Sequence, residues 1–538
     1  MRRGLGLFGA LGAFVIATAT LVAGPSTAAN GWDKPPGSSD GPDGVPRINW
    51  TTCTDEFLQS IGAECGTLRV PLDYDEPDGR KVTLALSRLK HTVPERDFQG
   101  AMLVNPGGPG GSGLQFSFLG LLMPDDVRAA YDWIGFDPRG VGASTPSLSC
   151  IPDYFAGPRP DYDIDASHTK AQWRKRSKGY ADACATAGGD LLDHVKTIDT
   201  VRDMNSIRAA LRSPKLNFYG FSYGTYLTQV YTTTFPWRVG RMVLDPNVDP
   251  RQVWYRANLD QDVAFETVID LFFDWIARHS ATYQLGSTAA EDEAAYYTAR
   301  AELAASPMGV LGPSELSDAV LPAGYLQAFW PDIAQALSDL VVRDDPAALI
   351  AWYESFDDPG NDNGYAMYLA TECTDQNWPR LHRLIRDSRA LDVDNPFLSW
   401  ANAWFNAPCT FWRGEAATSK PYVHGKAPLL LVSETLDGAT PYSGSLEVRR
   451  RFPNSVLIAT DGGTTHANSL AGNACVDEPI FAYLRDGTLP ARDGGPGAAD
   501  VVCAPLPEPE PVVAVPAPAA AAGATDLQSK LRSAVSRR

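Results

Sequence analysis

Along the chain, apolar positions gather into strand-like runs at 68–74, 81–89, 101–105, 132–136, 216–220, 241–244, 428–433 and 455–460. Several are continuously apolar instead of alternating, as parallel strands covered on both faces should be. Stretches with helical spacing lie between the later runs, at 198–211 and 223–235. Strands first, then strand and helix in alternation, predict an α/β sheet that opens with an antiparallel meander.

One interval breaks this rhythm. From 246 to 426 no strand-like run occurs, although a parallel crossover needs only about a dozen residues. Segments 259–277, 289–305 and 325–342 carry aromatics at helical spacing, which predicts a mainly helical cap inserted into the sheet domain.

The ends differ in character. Met1-Arg2-Arg3, an apolar stretch from Leu5 to Ala23 and the small residues up to Ala29 form the three-part pattern of a signal peptide, residues 1–29. Residues 30–46 are rich in Pro, Gly and Ser, and read as a flexible leader or propeptide. Residues 506–538 form a Pro/Ala-rich tail. Between them the expected division is a catalytic core at 47–245, the cap at 246–426 and the second part of the core at 427–505.

The chain has 538 residues, 44% hydrophobic and 20% charged, which excludes disordered and collagen-like classes. Its net charge of −18 opposes binding to phosphate backbones or anionic lipid, so nucleic acid is not expected as a partner. Removing residues 1–29 takes away only positive charge. No later apolar run is long enough to span a bilayer, so an exported, secreted protein without stable membrane association is expected. The 8 cysteines are even in number, as suits an oxidising compartment. Pairing each with its neighbour (Cys53/Cys65, Cys150/Cys184, Cys373/Cys409, Cys475/Cys503) closes modest loops. The spacing fits no zinc motif.

The run 216–220 leads straight into Gly220-Phe221-Ser222-Tyr223-Gly224 and then a helix-forming stretch. G-x-S-x-G at a strand-to-helix junction is the nucleophile-elbow pattern, with Ser222 the nucleophile. A serine hydroxyl needs a base, itself oriented by an acid, and in this architecture the chain order is Ser, acid, His. Asp437 follows the run 428–433 on a turn. Of the seven histidines only His466 lies beyond it, so order leaves His466 as the base. Glu434, three residues nearer the strand, is the rival acid.

The oxyanion hole should combine the backbone N–H of Tyr223 with one from Gly107 or Gly108, in the glycine-rich loop after the third run. That loop also fits G-x-G-x-x-G from Gly108 to Gly113. A dinucleotide site is rejected because two prolines interrupt it and it follows the third strand, not the first.

These residues resemble α/β-hydrolase exopeptidases of the proline iminopeptidase type, and among them the secreted bacterial tripeptidyl aminopeptidases. The resemblance rests on Gly107-Gly108-Pro109-Gly110, on Gly135-Phe136-Asp137-Pro138-Arg139-Gly140 and the following Val141-Gly142-Ala143-Ser144, on Gly220 to Tyr226, on Asp437 with Thr440-Pro441, and on His466. It implies an α/β-hydrolase fold, a Ser222/Asp437/His466 triad acting through an acyl-enzyme, no metal or organic cofactor, and peptide substrates cut from a free amino end. Two positions depart from the iminopeptidase pattern: Asn105-Pro106 replaces the His before the glycines, and Thr465 replaces the Gly before the base. Asp137 and Arg139 are expected to form a buried pair beside the glycine-rich turn. An aminopeptidase must also hold an ammonium group, and Glu372 and Asp375, where the cap returns to the sheet, are the candidate anchors. The alternatives are a secreted carboxylesterase or lipase-like hydrolase with the same triad, and a non-catalytic hydrolase-like binding protein.

Overall fold

The computed structural model describes residues 38–40, 46–164 and 168–511. The proposed signal peptide, most of the leader and the tail beyond 511 lie outside the described residues.

Ten strands form one sheet: β1 (Thr51–Thr52), β2 (Glu64–Pro71), β3 (Lys81–Leu89), β4 (Ala101–Asn105), β5 (Asp132–Phe136), β6 (Leu216–Phe221), β7 (Val239–Asp245), β8 (Leu429–Glu434), β9 (Val456–Thr460) and β10 (Val501–Cys503). Their order across the sheet is β10-β9-β8-β7-β6-β4-β5-β3-β2-β1. β1, β2 and β3 pair antiparallel, and β3 joins β5 antiparallel. From β5 to β10 every pairing is parallel. The expected α/β-hydrolase sheet, with its antiparallel opening, is thus observed. The runs read from the sequence all become strands; the short outer strands β1 and β10 are additions.

The continuous apolar runs have a direct cause. Leu103 of β4, Phe218 of β6 and Leu431 of β8 enter one hydrophobic layer, while Met102, Tyr219 and Leu430 enter the other. Each buried side chain of this size contributes about 1.5–3 kcal/mol, so both faces must be covered. Helices Thr197–Ala210 and Tyr223–Thr234 cover the first face, and Asp125–Ala130 and Ala474–Asp486 the second.

Between β7 and β8 the chain is helical, including Tyr255–Arg278, Ala289–Ala305, Trp330–Arg343 and Asn363–Asp375. This cap has its own core, built on Phe272, Trp275, Trp330 and Leu337. Tyr162, Ile164 and Trp173, from the connection between β5 and β6, belong to the same core. The cap therefore draws on a second segment, which includes helix Thr169–Gly188, that the sequence division left in the sheet domain.

Four disulfides join each cysteine to its chain neighbour, as expected: Cys53–Cys65, Cys150–Cys184, Cys373–Cys409 and Cys475–Cys503. Beyond Cys503 the chain crosses to the cap, where Glu508 pairs with Arg278 at 2.7 Å and the Pro509 carbonyl accepts from the Trp275 indole at 3.2 Å. The first residues assigned to the tail are thus docked. Among the described residues no helix is long and apolar enough to cross a membrane.

Candidate active site

Ser222 stands between β6 and helix Tyr223–Thr234 with φ 51° and ψ −123°. A non-glycine residue in this region is strained, and tight packing holds it there. Its N–H donates to the Asp245 carbonyl at 3.2 Å. The flanking glycines are required by close approach: a Cβ on Gly220 would lie 2.5 Å from the Gly224 carbonyl oxygen, and one on Gly224 would lie 2.8 Å from that of Asn105.

Asp437 and His466 follow β8 and β9, at the carboxyl edge of the sheet where ligands of open α/β folds bind. His466 Nδ1 lies 3.0 and 2.9 Å from the two Asp437 oxygens. Facing a carboxylate, Nδ1 carries the proton, which leaves the Nε2 lone pair for a base's work. Asp437 also accepts from the N–H groups of Ala439 and Thr440 and from the Thr440 hydroxyl, at 2.8, 3.0 and 3.0 Å. These bonds fix the carboxylate as the acceptor of the imidazole proton. Glu434 makes no such contact with the ring; it accepts from the Thr465 N–H and from the Asn468 side-chain amide.

The glycine-rich loop lies against the elbow. A Cβ on Gly107 would meet Ser222 Cβ at 2.8 Å and Tyr223 N at 2.9 Å. The Gly107 N–H is taken by Asn105 Oδ1 at 3.0 Å. Asn105, a departure from the iminopeptidase pattern, thereby shapes the loop.

Ser222, His466, Gly107, Gly108 and Tyr223 line one cavity of about 2090 Å³ between sheet and cap. Glu372 lines it as well and is 3% exposed. Burial pushes its carboxyl up to about 8, against the pull of hydrogen bonds from Asn258, at 3.2 Å, and Tyr368. Desolvation disfavours the charged form, so the folded protein holds this proton more tightly than a solvent-exposed carboxyl would. Asp375 is placed otherwise. Its carboxylate accepts from the Thr197 N–H at 2.7 Å and from the Trp254 indole at 2.9 Å, and Thr197 in turn bonds the Tyr223 hydroxyl at 2.8 Å. Asp375 braces the elbow.

Asp137 and Arg139 do not pair with each other. Asp137 accepts from Ser112 Oγ at 2.6 Å and from the Leu114 N–H at 3.0 Å, holding the glycine-rich loop; Arg139 forms a buried bidentate pair with Asp203 at 2.7 and 2.6 Å. Chain neighbours at a turn diverge, and the fold supplies Arg139 with a helix partner instead.

Residues 100–296 match the α/β-hydrolase fold family, and residues 395–496 match a family described as TAP-like protein. The chain is 39% identical to a tripeptidyl aminopeptidase of Streptomyces lividans over 94% of its own length and 98% of that protein's. It belongs to the tripeptidyl aminopeptidase family of α/β hydrolases. Within reach of this family lie the serine protease Hip1 of Mycobacterium tuberculosis, 34% identical over 82% of this chain and 89% of that one, and a carboxylesterase B of the same organism, 31% identical over 83% and 89%. Against this family background, Asn258, Tyr325 and Tyr368 are cavity residues that the sequence did not single out, because each comes from a cap helix or turn with no motif to mark it.

Proposed function

We propose that this chain is an exported serine exopeptidase that releases short peptides, tripeptides above all, from the free amino end of peptide substrates. The observation that carries the reading is the near full-length match to a protein named tripeptidyl aminopeptidase. In the reaction, His466 takes the Ser222 proton as Oγ attacks the scissile carbonyl, and Asp437 holds the ring and stabilises the imidazolium. The N–H groups of Tyr223 and Gly108 receive the oxyanion. The amine leaves with the proton from His466, and water then releases the acyl group. Glu372, buried in the cavity wall, is the group that receives the substrate ammonium, and its distance from Ser222 sets the length of the released peptide. Export is supported by the basic and apolar start and by the four disulfides.

The test compares a tripeptide anilide bearing a free amine with its amino-acetylated twin, using Ser222→Ala as the inactive control. Wild type should cleave the free-amine substrate far faster, and Glu372→Gln should lose that preference. Equal rates on both substrates would favour the carboxylesterase reading, which the 31% identity to a carboxylesterase B keeps as the second choice.

A further inference from the structure

Glu434 is a buried acid that the proposed reaction does not use, yet it touches the loop carrying the base. Its side chain, on a residue 4% exposed, points along the segment that follows β9. One oxygen accepts from the N–H of Thr465, the residue before His466, and the other accepts from the side-chain amide of Asn468, two residues after it. A Cβ on Gly463 would lie 2.6 Å from the Glu434 carboxyl carbon, so a glycine there lets the loop close over the acid. The same loop meets the cap on its other side, through the His466 N–H to the Tyr325 carbonyl at 2.8 Å. Asp437 fixes the ring; it does not fix the backbone from which the ring hangs.

We infer that Glu434 is a positioning residue, whose two carboxylate oxygens clamp residues 465–468 so that His466 presents Nε2 to Ser222. Both oxygens face N–H donors, so only the ionised group satisfies both. Protonation, or replacement by Gln, turns a donor toward a donor and opens one side of the clamp. The charged groups facing Glu434 are Asp437 on the same turn and Asp245 at the end of β7. Burial, reinforced by those two acids, raises the Glu434 carboxyl to about 8, against the two donors that favour its ionised form. The clamp therefore tightens as pH rises through that value.

The inference rests on Ser222 and His466 acting together and not on the choice of peptide substrate, so its test uses diisopropyl fluorophosphate. The Ser222 oxygen forms a bond to phosphorus, the P–F bond breaks, fluoride leaves and the serine proton passes to His466. Rates of inactivation of wild type, Glu434→Gln and Asn468→Ala are measured at pH 6 and at pH 9.5, with melting temperatures alongside. Glu434→Gln should match wild type at pH 6 and react on the order of tenfold more slowly at pH 9.5, the loss expected for one charge-assisted hydrogen bond. Asn468→Ala, which removes one donor and no charge, should fall between them. Rates equal to wild type at both values, or a slowing that is the same at both, would overturn the role. A wild type inert to the reagent would instead refute the triad, which separates the two failures.

Discussion

The backbone N–H of His466 donates to the carbonyl of Tyr325 at 2.8 Å, and the Tyr325 ring meets the imidazole edge-on with centroids 5.7 Å apart. His466 follows a strand of the sheet and Tyr325 belongs to the cap, so the proposed base is seated by both halves of the molecule. Tyr325→Leu keeps the backbone bond and removes the aromatic contact. An edge-to-face pair contributes about 0.5–1.5 kcal/mol, so kcat should fall roughly two- to tenfold. Steady-state kinetics on a tripeptide anilide would check this; an unchanged kcat would show that the ring does not help to orient the base.

Asp437 should be far more sensitive. Its carboxylate accepts the imidazole proton and three further bonds, so Asp437→Asn keeps the packing but turns a donor toward Nδ1 or toward a backbone N–H. The ring then takes the wrong tautomer, and kcat should drop by about 10⁴. If Glu434 were the orienting acid instead, Asp437→Asn would retain most of the activity while Glu434→Gln lost nearly all of it.

Gly107→Ala tests the oxyanion loop. Gly107 has φ +101°, a conformation costly for any residue with a Cβ, and that Cβ would sit 2.7 Å from the Phe221 carbonyl oxygen. The loop must move away from the elbow, and loss of one donor is worth about 10²–10³ in kcat. A variant that folds, judged by circular dichroism, should show this loss with KM little changed.

Much of the candidate site's local geometry is legible in the sequence, for a physical reason. The elbow, the glycine-rich loop and the acid and histidine turns are local: each depends on a few neighbouring residues at the end of a strand, and chain order alone selects His466. What depended on tertiary packing was less legible. Glu372 and Asp375 stand three residues apart on helix Asn363–Asp375, yet one lines the cavity while the other turns to Thr197 and Trp254. Arg139 found Asp203, distant in sequence, instead of Asp137. Helix Thr169–Gly188 was missed because its buried stripe includes Ser177 and Ala181 among Trp173, Tyr180 and Cys184, which weakens the apolar pattern. Strand β10 is three residues long and marked only by Cys503.

Glu372 makes a prediction about stability as well as binding. Burial raises its carboxyl from an ordinary 4.5 to about 8, so the folded protein holds this proton more tightly than the unfolded chain does. Between those values the unfolded chain has lost the proton and the folded protein has kept it, so stability falls as pH rises through the window, and the full cost is present above about 8. Each tenfold difference in proton affinity is worth about 1.4 kcal/mol, so the cost amounts to a few kcal/mol. Glu372→Gln carries no proton to lose. It should match wild type in thermal unfolding near pH 4 and melt higher than wild type at pH 9, even though it binds an amine-bearing substrate more weakly. A substrate ammonium should remove the same cost by pairing with the carboxylate, so a non-hydrolysable peptide with a free amine should raise the melting temperature of wild type, in the Ser222→Ala background as well, more than that of Glu372→Gln. Equal increments in the two proteins would mean that Glu372 is a wall of the cavity and not the anchor of the chain's end.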